Sequence, residues 1–356
     1  MKKINLDNVS SYGKFDPSDM LRHIHDIPSL CKKAWDQAIA LELPAEYKDI
    51  DKIVILGMGG SAIGGDLLSS LVINRCRVPI SVHRSYTPPS FVDENTLVIA
   101  SSYSGMTEET LEAFRSLLLR GSKKLVMASG GQLGQIAIDN HIPAFIFDYK
   151  SPPRAALPLS LIALVGIVSK LGLAGDMGPD LAEACSILAR TDGEINEKVP
   201  ETQNPAKQIA RRMFGNMAVI YGAEHLTEVA ARWKIQVNEN VKGWAFNAAF
   251  PELNHNSASG YEVPAEISKN TRVIMLRSRT LHPRVLLRYG ITGRILEKSG
   301  VKFEIVDASG DSSLAQMMSL ILMGDYVSYY LALLYGIDPY PIKAVDYLKA
   351  ELNHSL

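Results

Sequence analysis

The stretch GMGGSAIGG, residues 57–65, directly follows the apolar run IVIL at 53–56. A second polar loop, SSYSGMT at 101–107, follows another apolar run, LVIA at 97–100. Each run is typical of a buried strand that opens into a loop of small residues, and a helical pattern comes after each loop. We therefore predict two loops at the carboxyl edge of one parallel sheet, where open α/β sheets bind ligands.

Both loops are suited to an anion such as phosphate, because N–H groups at helix N-termini are free to bind it. GMGGSA also fits a dinucleotide pattern, but His83 and Arg84 stand where that pattern needs a carboxylate. Tight helix–strand packing would explain the glycines alone. One helix cap would use a single hydroxyl, whereas Ser102, Ser104 and Thr107 supply three. Phosphate binding without a nucleotide base is therefore the preferred interpretation.

Composition excludes several classes of protein. The chain has 356 residues and a net charge of −1, so it can form two domains and has no excess charge to attract nucleic acid or an anionic membrane. Its three cysteines are too few and too scattered for a disulfide framework or a zinc site. No apolar segment follows the N-terminal lysines, and Leu314–Gly336 contains Asp325, which favours a buried helix over a membrane span. We expect a cytoplasmic protein.

Strand and helix patterns alternate in the first half. The predicted strands are 52–57, 80–83, 96–101, 124–128 and 144–148. Helical patterns such as 107–119 lie between them, and a long apolar helix over 157–173 ends this half. Alternation of this kind predicts an α/β fold with a doubly wound parallel sheet. The first domain is assigned to residues 1–175, including a polar N-terminal extension.

The pattern restarts after a mixed polar segment, 176–206, which is assigned as a linker region. The predicted elements of the second half are strands 218–222, 272–276 and 303–306 and helices 224–241 and 312–335. This half, residues 207–356, is predicted to repeat the same architecture and to end in a C-terminal helical tail packed across the cleft.

The motifs GMGGSAIGGDL and SSYSGMTEETL resemble the sugar isomerase (SIS) domain, a phosphosugar-binding module. Further motifs are PPR at 152–154, RWKIQVNEN at 232–240, PELNHN at 251–256, DP at 338–339 and YLK at 347–349. In this order, from about residue 50 to the end, the motifs resemble the bifunctional phosphoglucose/phosphomannose isomerases. The resemblance implies two SIS-type domains, a phosphosugar substrate, no metal or organic cofactor, and a homodimer with shared active sites.

The resemblance also implies roles for four residues. Glu239 matches the base that moves a proton between C1 and C2, and Arg154 matches the cation that stabilises the enediolate. His255, in a loop between helix and strand, matches a ring-opening histidine that reaches the neighbouring subunit's site. Lys349 matches a lysine that contacts the substrate, although Lys343 lies close enough to exchange roles with it.

The remaining assignments concern ligand binding and alternatives. The residues expected to contact substrate or phosphate are Gly60, Ser61, Ser102, Ser104, Thr107 and Arg154. A non-catalytic phosphosugar-binding regulator is the alternative function. His23 and His25 form an H-x-H pair that we expect at the surface, without the additional ligands that a metal site needs. Tyr340 stands where the family pattern has a threonine, which leaves the ratio of glucose to mannose activity open.

Overall fold

The computed structural model describes residues 4–354. Its first sheet contains strands Lys52–Leu56 (β1), Ile80–His83 (β2), Thr96–Ser101 (β3), Lys123–Ala128 (β4) and Ala144–Ile146 (β5). All pairs are parallel and the order is β2-β1-β3-β4-β5. The five predicted strands are confirmed. The strand order reverses between β1 and β3, so the loops 57–60 and 101–107 border a crevice, here called the first crevice.

The second sheet is parallel as well, with strands Met217–Ala223 (β6), Ala245–Phe250 (β7), Thr271–Arg277 (β8) and Lys302–Asp307 (β9). Its order is β7-β6-β8-β9, which reverses between β6 and β8. The residues 223–226 and 278–282 border the corresponding second crevice. Strand β7 was not predicted, because its sequence AFNAAF has no β-branched residue and forms an exposed edge.

The α-helices of the described chain surround these sheets. They are Met20–His25 (α1), Ile27–Ala40 (α2), Gly59–Val72 (α3), Glu108–Arg115 (α4), Gly131–Asp139 (α5), Leu157–Lys170 (α6), Gly178–Ile195 (α7), Pro205–Met213 (α8), Thr227–Gln236 (α9), Ala265–Lys269 (α10), Pro283–Lys298 (α11), Ser313–Tyr335 (α12) and Lys343–His354 (α13). Two apolar segments, Pro153–Lys170 and Ser313–Tyr335, are long enough to cross a membrane, but 83% and 94% of them are buried in the protein. Both are therefore core helices of the fold.

The segment predicted as a polar linker, 176–206, contains the 18-residue helix α7, which packs against α2 and α12. The N-terminal extension also has a defined place. The Tyr329 hydroxyl on α12 donates to the Asp16 carboxylate at 3.1 Å, and Lys207 on α8 lies 3.2 Å from Asp7. Asp7 and Asp16 of the N-terminal extension therefore contact the second half of the chain. The domain boundaries themselves stay predictions.

The expectation that His23 and His25 lie at the surface is wrong for His23, which is only 3% exposed. Its Nδ1 atom lies 2.5 Å from the Tyr149 hydroxyl. His25 is partly exposed and lies 3.5 Å from the Asp192 carboxylate and 3.0 Å from that of Glu197. Hydrogen bonds to Asp192 and then Glu197 raise the pKa of His25 to about 9. The short helix α1 directs the His23 ring into the protein, which the sequence pattern did not reveal.

Candidate active site

The glycine loop brings the start of α3 against the PPR segment. Gly60 lies so close to this segment that an added Cβ atom would meet the Pro153 carbonyl oxygen at 3.2 Å and the Arg154 nitrogen at 3.3 Å. The Ser61 hydroxyl is buried and accepts a hydrogen bond from the Tyr103 N–H at 3.1 Å. The glycine permits this approach because it has no side chain. Both residues thus fix the loops of the first crevice relative to Arg154.

The second loop of the first crevice is organised by a buried hydroxyl. Ser102 accepts a hydrogen bond from the Gly105 N–H at 3.1 Å, and its Oγ lies 2.8 Å from that of Thr107. Ser104 is exposed, and its Oγ accepts from the Met106 N–H at 3.2 Å, which leaves its O–H proton free for a ligand. Of the three predicted hydroxyls, that of Ser102 stabilises the loop, that of Thr107 pairs with Ser102, and that of Ser104 faces solvent.

Arg154 lies at the centre of the site and is 1% exposed. Its Nε donates to the Asn240 side-chain oxygen at 2.7 Å. Its Nη2 donates to the carbonyl oxygens of Pro339 at 2.6 Å and Tyr340 at 2.8 Å. Burial lowers the pKa of Arg154, and the Glu239 carboxylate opposes that effect. With the Glu239 carboxylate, four acceptors from distant segments hold this buried guanidinium. It therefore provides a fixed positive charge.

Glu239 lies beside this charge, with its Oε2 atom 3.5 Å from Arg154 Nη1 and its side chain 26% exposed. The predicted helix 224–241 does not continue as an α-helix here. Residues Val237–Val241 form a π-helical turn, a feature that is frequent at functional sites. Asn240 in the same turn donates to the Ser328 hydroxyl at 2.9 Å, which anchors the turn to α12. The carboxylate is thus accessible and held next to a cation.

Lys242 belongs to the same site, although the sequence analysis missed it. Its ammonium lies 2.8 Å from the Glu239 carbonyl oxygen and 3.3 Å from that of Asn240. It also lies 3.0 Å from the Asp338 carbonyl oxygen and 3.1 Å from that of Pro339. A cation just after a helical turn could have signalled this role, since carbonyl groups there lack partners.

Two predicted residues are not brought to this centre. His255 follows β7, in a loop between strand and helix rather than between helix and strand, and is exposed. Lys349 and the alternative Lys343 are exposed on α13. Within residues 4–354, none of these three side chains forms a hydrogen bond or ion pair with Arg154 or Glu239. Residues 343–350 are all exposed, so the expected packing of the tail across the cleft is wrong for this part of α13.

Comparison with known proteins identifies the family. The model of the bacterial phospho-glucose isomerase C-terminal SIS domain matches residues 202–352. A bifunctional phosphoglucose/phosphomannose isomerase of Caldicellulosiruptor bescii is 39% identical over 94% of this chain and 98% of its own length. A bifunctional phosphoglucose/phosphomannose isomerase of Aquifex aeolicus is 35% identical over 86% of this chain and 94% of its own length. The chain belongs to the bifunctional phosphoglucose/phosphomannose isomerase family.

Solved structures agree with this family at the level of the fold. A hypothetical protein from Thermus thermophilus superposes with a TM-score of 0.75 at 17% identity, covering 95% of this chain and 91% of the other. A putative phosphosugar isomerase from Clostridium difficile superposes with a TM-score of 0.67 at 16% identity, covering 91% and 95%. The two-sheet architecture is therefore the SIS fold.

Arg232, at the start of the RWKIQVNEN motif, lies directly behind Arg154. Arg232 Nη2 donates to the Arg154 carbonyl oxygen at 2.9 Å and to the Asp325 carboxylate at 3.1 Å. Burial raises the pKa of Asp325 to about 6, although Arg232 opposes it. This pair thus holds the backbone of Arg154 from the protein interior. In the part of the chain that the structure describes, no group of three or more His, Cys, Asp or Glu side chains could hold a metal ion.

Proposed function

We propose that the protein catalyses the reversible isomerisation of glucose 6-phosphate and mannose 6-phosphate with fructose 6-phosphate. The observation that carries this proposal is the pair formed by the accessible Glu239 carboxylate and the buried Arg154 guanidinium, 3.5 Å apart. Aldose–ketose isomerisation needs a base for the carbon-bound proton and a cation for the enediolate. The names of the two bacterial relatives support the same reaction.

The steps follow from these two groups. Glu239 takes the proton from C2 of the open-chain aldose, the C1–C2 double bond forms, and the negative charge on O1 is stabilised by Arg154. A proton moves from O2 to O1, and Glu239 then returns its proton to C1, which yields the ketose. Glucose and mannose differ only at C2 and lead to the same enediol once the bond between C2 and C3 turns. One base can therefore serve both substrates.

The first crevice is the proposed phosphate site. Ser104 supplies a free hydroxyl proton, and no side chain caps the N-terminus of α4 at Thr107, so main-chain N–H groups there are open to an anion. Ser102 and Thr107 would act mainly by holding the loop in shape, and Gly60 and Ser61 by bringing it towards Arg154. Phosphate bound here would direct C1 and C2 towards Glu239.

A coupled assay with all three sugar phosphates tests the proposal. We expect Glu239→Gln to lower kcat for both aldoses in parallel by about 10²-fold or more, with little change in KM. Glu228→Gln is the matched control, because Glu228 is another partly buried glutamate on the preceding helix. Loss of mannose 6-phosphate turnover alone after treatment with EDTA would contradict a single site. Phosphosugar binding without turnover would favour the non-catalytic regulator.

The homodimer forms a second part of the proposal. His255 is exposed and close in sequence to exposed apolar residues, among them Trp244, which is 77% exposed, and Val263, which is 81% exposed. A second copy covering this surface would allow His255 to assist ring opening at the neighbouring site, with Lys349 contacting the substrate. Such a cytoplasmic dimer would contain two shared active sites.

Subunit mixing tests this arrangement. Glu239→Gln and His255→Ala homodimers should each be nearly inactive. If His255 acts on the neighbouring site, their mixed dimer contains one site with both wild-type residues and one with neither, so activity returns on mixing. If each site uses its own His255, both sites of the mixed dimer carry one change and activity stays lost. Light scattering measures the oligomeric state in the same samples.

A further inference from the structure

Lys242 has a backbone conformation that lysine seldom adopts. Its φ of 58° and ψ of 26° lie in the left-handed region, and its N–H donates to the Val237 carbonyl oxygen to end the π-helical turn. This conformation costs a non-glycine residue about 1 kcal/mol or more. Glycine or asparagine would fit the backbone better, so the side chain of the lysine calls for an explanation of its own.

The side chain connects two segments that are about a hundred residues apart. Its ammonium has three protons and lies within hydrogen-bonding distance of four carbonyl oxygens, two in the Glu239 turn and two at 338–339. The Pro339 carbonyl oxygen also accepts from Arg154 Nη2 at 2.6 Å. Arg154 in turn binds the side chain of Asn240. Lys242, the turn, Arg154 and the Asp338–Tyr340 segment therefore form a closed ring of contacts.

The electrostatic setting of the ammonium is equally specific. Much of the residue is exposed, but the ammonium itself is partly desolvated among the carbonyl groups. This desolvation, and next the charge of Arg154, lower the pKa of Lys242 to about 8. Near neutral pH the ammonium keeps its protons, and because its pKa is lower here than that of a solvated lysine, raising the pH above about 8 favours this arrangement over a released side chain.

We propose that Lys242 is a positioning residue that clamps the Glu239 turn to the Asp338–Tyr340 segment and so holds the Glu239 carboxylate against Arg154. The proposal rests on the proposed function, in which these two groups act on one substrate. Because a small displacement of a catalytic group reduces the rate of proton transfer more than it reduces phosphate binding, loss of the clamp affects kcat more than KM.

The kinetic test compares Lys242→Met, Lys242→Arg and the wild type. Lys234→Met is the matched control, since Lys234 is a partly buried lysine of α9 whose side chain forms no hydrogen bond within residues 4–354. We expect Lys242→Met to lower kcat for fructose 6-phosphate about 10- to 100-fold and to leave KM within about threefold. Lys242→Arg should restore most of kcat.

Hydrogen exchange measured by mass spectrometry tests the clamp without any assay of activity. Peptides covering 237–241 and 338–342 should exchange at least about threefold faster in Lys242→Met than in the wild type, and at the wild-type rate in Lys234→Met. Unchanged exchange, or kcat of Lys242→Met close to that of the wild type, overturns the proposal. If the wild type has no isomerase activity, the proposed function fails, whereas the exchange rates still decide whether Lys242 is a clamp.

If Lys242→Met does not fold, the pH dependence of exchange in the wild type and in Lys242→Arg tests the clamp instead. In the wild type, exchange of the same two peptides, corrected for its intrinsic dependence on pH, should slow as the pH rises above about 8, because the clamped side chain has a lower pKa than a released one. In Lys242→Arg it should not, because a guanidinium stays charged throughout this range. Equal pH dependence in both proteins would overturn the proposal.

Discussion

The two crevices have the same topology but different contents. In the first crevice, the Ser104 hydroxyl is exposed and keeps a proton for a ligand. In the second crevice, the Gln316 side chain on α12 is 1% exposed and contacts both of the loops that border the crevice. Its Oε1 lies 2.8 Å from His225 Nε2, 2.7 Å from the Ser278 hydroxyl and 3.0 Å from the Thr280 hydroxyl. The polar groups of the second crevice are thus satisfied internally.

This difference shows that strand order creates a place for a ligand but does not make it a binding site. Both sheets reverse their order at the corresponding position. Gln316 also donates from Nε2 to the carbonyl oxygens of Gly310 and Asp311 at 3.1 and 3.2 Å. The Gln316 side chain therefore fills the second crevice, which becomes part of the core. Whether a crevice of this fold binds a ligand thus depends on its side chains and not on the fold alone.

The largest effect is expected from a substitution that disrupts a loop of the first crevice. In Gly105→Ala, the new Cβ atom would lie 1.9 Å from the Gly130 carbonyl oxygen, at a φ of +66°. A clash with backbone cannot be relieved by rotating a side chain, so we expect the free energy of unfolding to fall by about 3 kcal/mol or more and kcat/KM to fall about 100-fold. Gly134→Ala is the control, since nothing lies within 4 Å of its Cβ position. Similar behaviour of the two variants would contradict the loop geometry.

The next largest effect is expected from removing the Gln316 side chain, which fills the second crevice. Gln316→Ala removes the partner of the buried His225 and Ser278 groups, and we expect a loss of about 2 kcal/mol in the free energy of unfolding. Urea denaturation measures this loss. KM for fructose 6-phosphate should stay unchanged, because the proposed phosphate site lies in the first crevice. A large rise in KM would mean that the second crevice takes part in binding.

A matched pair of serines sharpens the comparison. Ser104→Ala removes the proposed hydrogen bond to the phosphate dianion, worth about 1.5 kcal/mol, so KM should rise roughly tenfold while kcat and stability stay constant. Ser278→Ala removes a buried hydroxyl from the second crevice, so it should lower stability by about 1 kcal/mol and leave KM constant. Thr107→Ala should resemble Ser104→Ala more weakly. If both serines changed the same quantity, the two crevices would not differ as described.

The smallest effect concerns the contact of α1 with α7 and with Glu197. His25 on α1 is paired with Asp192 on α7 and with Glu197, and its pKa is raised to about 9. Since the folded-state pKa exceeds the unfolded value, this stabilisation is complete below about pH 6.5 and is lost as the pH rises through about 9. The side chain is 36% exposed, so we expect only about 1 kcal/mol. Urea unfolding of His25→Gln and wild type should differ at pH 6 and converge above pH 10.

Local sequence patterns predicted the first crevice because its strands are apolar runs and its loops follow them directly. The patterns also placed Arg154 and Glu239 by resemblance, and the structure finds them 3.5 Å apart. Strand β7 could not be predicted, because small residues at a sheet edge have no periodic signal. The position of Lys242 after a helical turn could have indicated its contacts with that turn, but its partners at 338–339 could not be predicted, since only the complete fold brings them to it.

The hydroxyls of the first crevice illustrate the same limit. Sequence gives three similar residues, Ser102, Ser104 and Thr107, and predicts one role for all of them. In the structure these residues have different roles, because the turn of the loop buries Ser102 and leaves Ser104 exposed to solvent. Burial of this kind depends on contact with the neighbouring loop at Gly130, which no local pattern encodes.

The N-terminal segment has a consequence for the order of folding. Asp7 and Asp16 precede the first sheet in the chain, yet their partners are Lys207 and Tyr329. Contacts of such long sequence separation form late and slow the completion of a fold. The first sheet can assemble during synthesis, but the segment that contains Asp7 and Asp16 must wait until α12 has emerged. A fusion partner placed next to Asp7 would therefore lie beside the last part of the core to close.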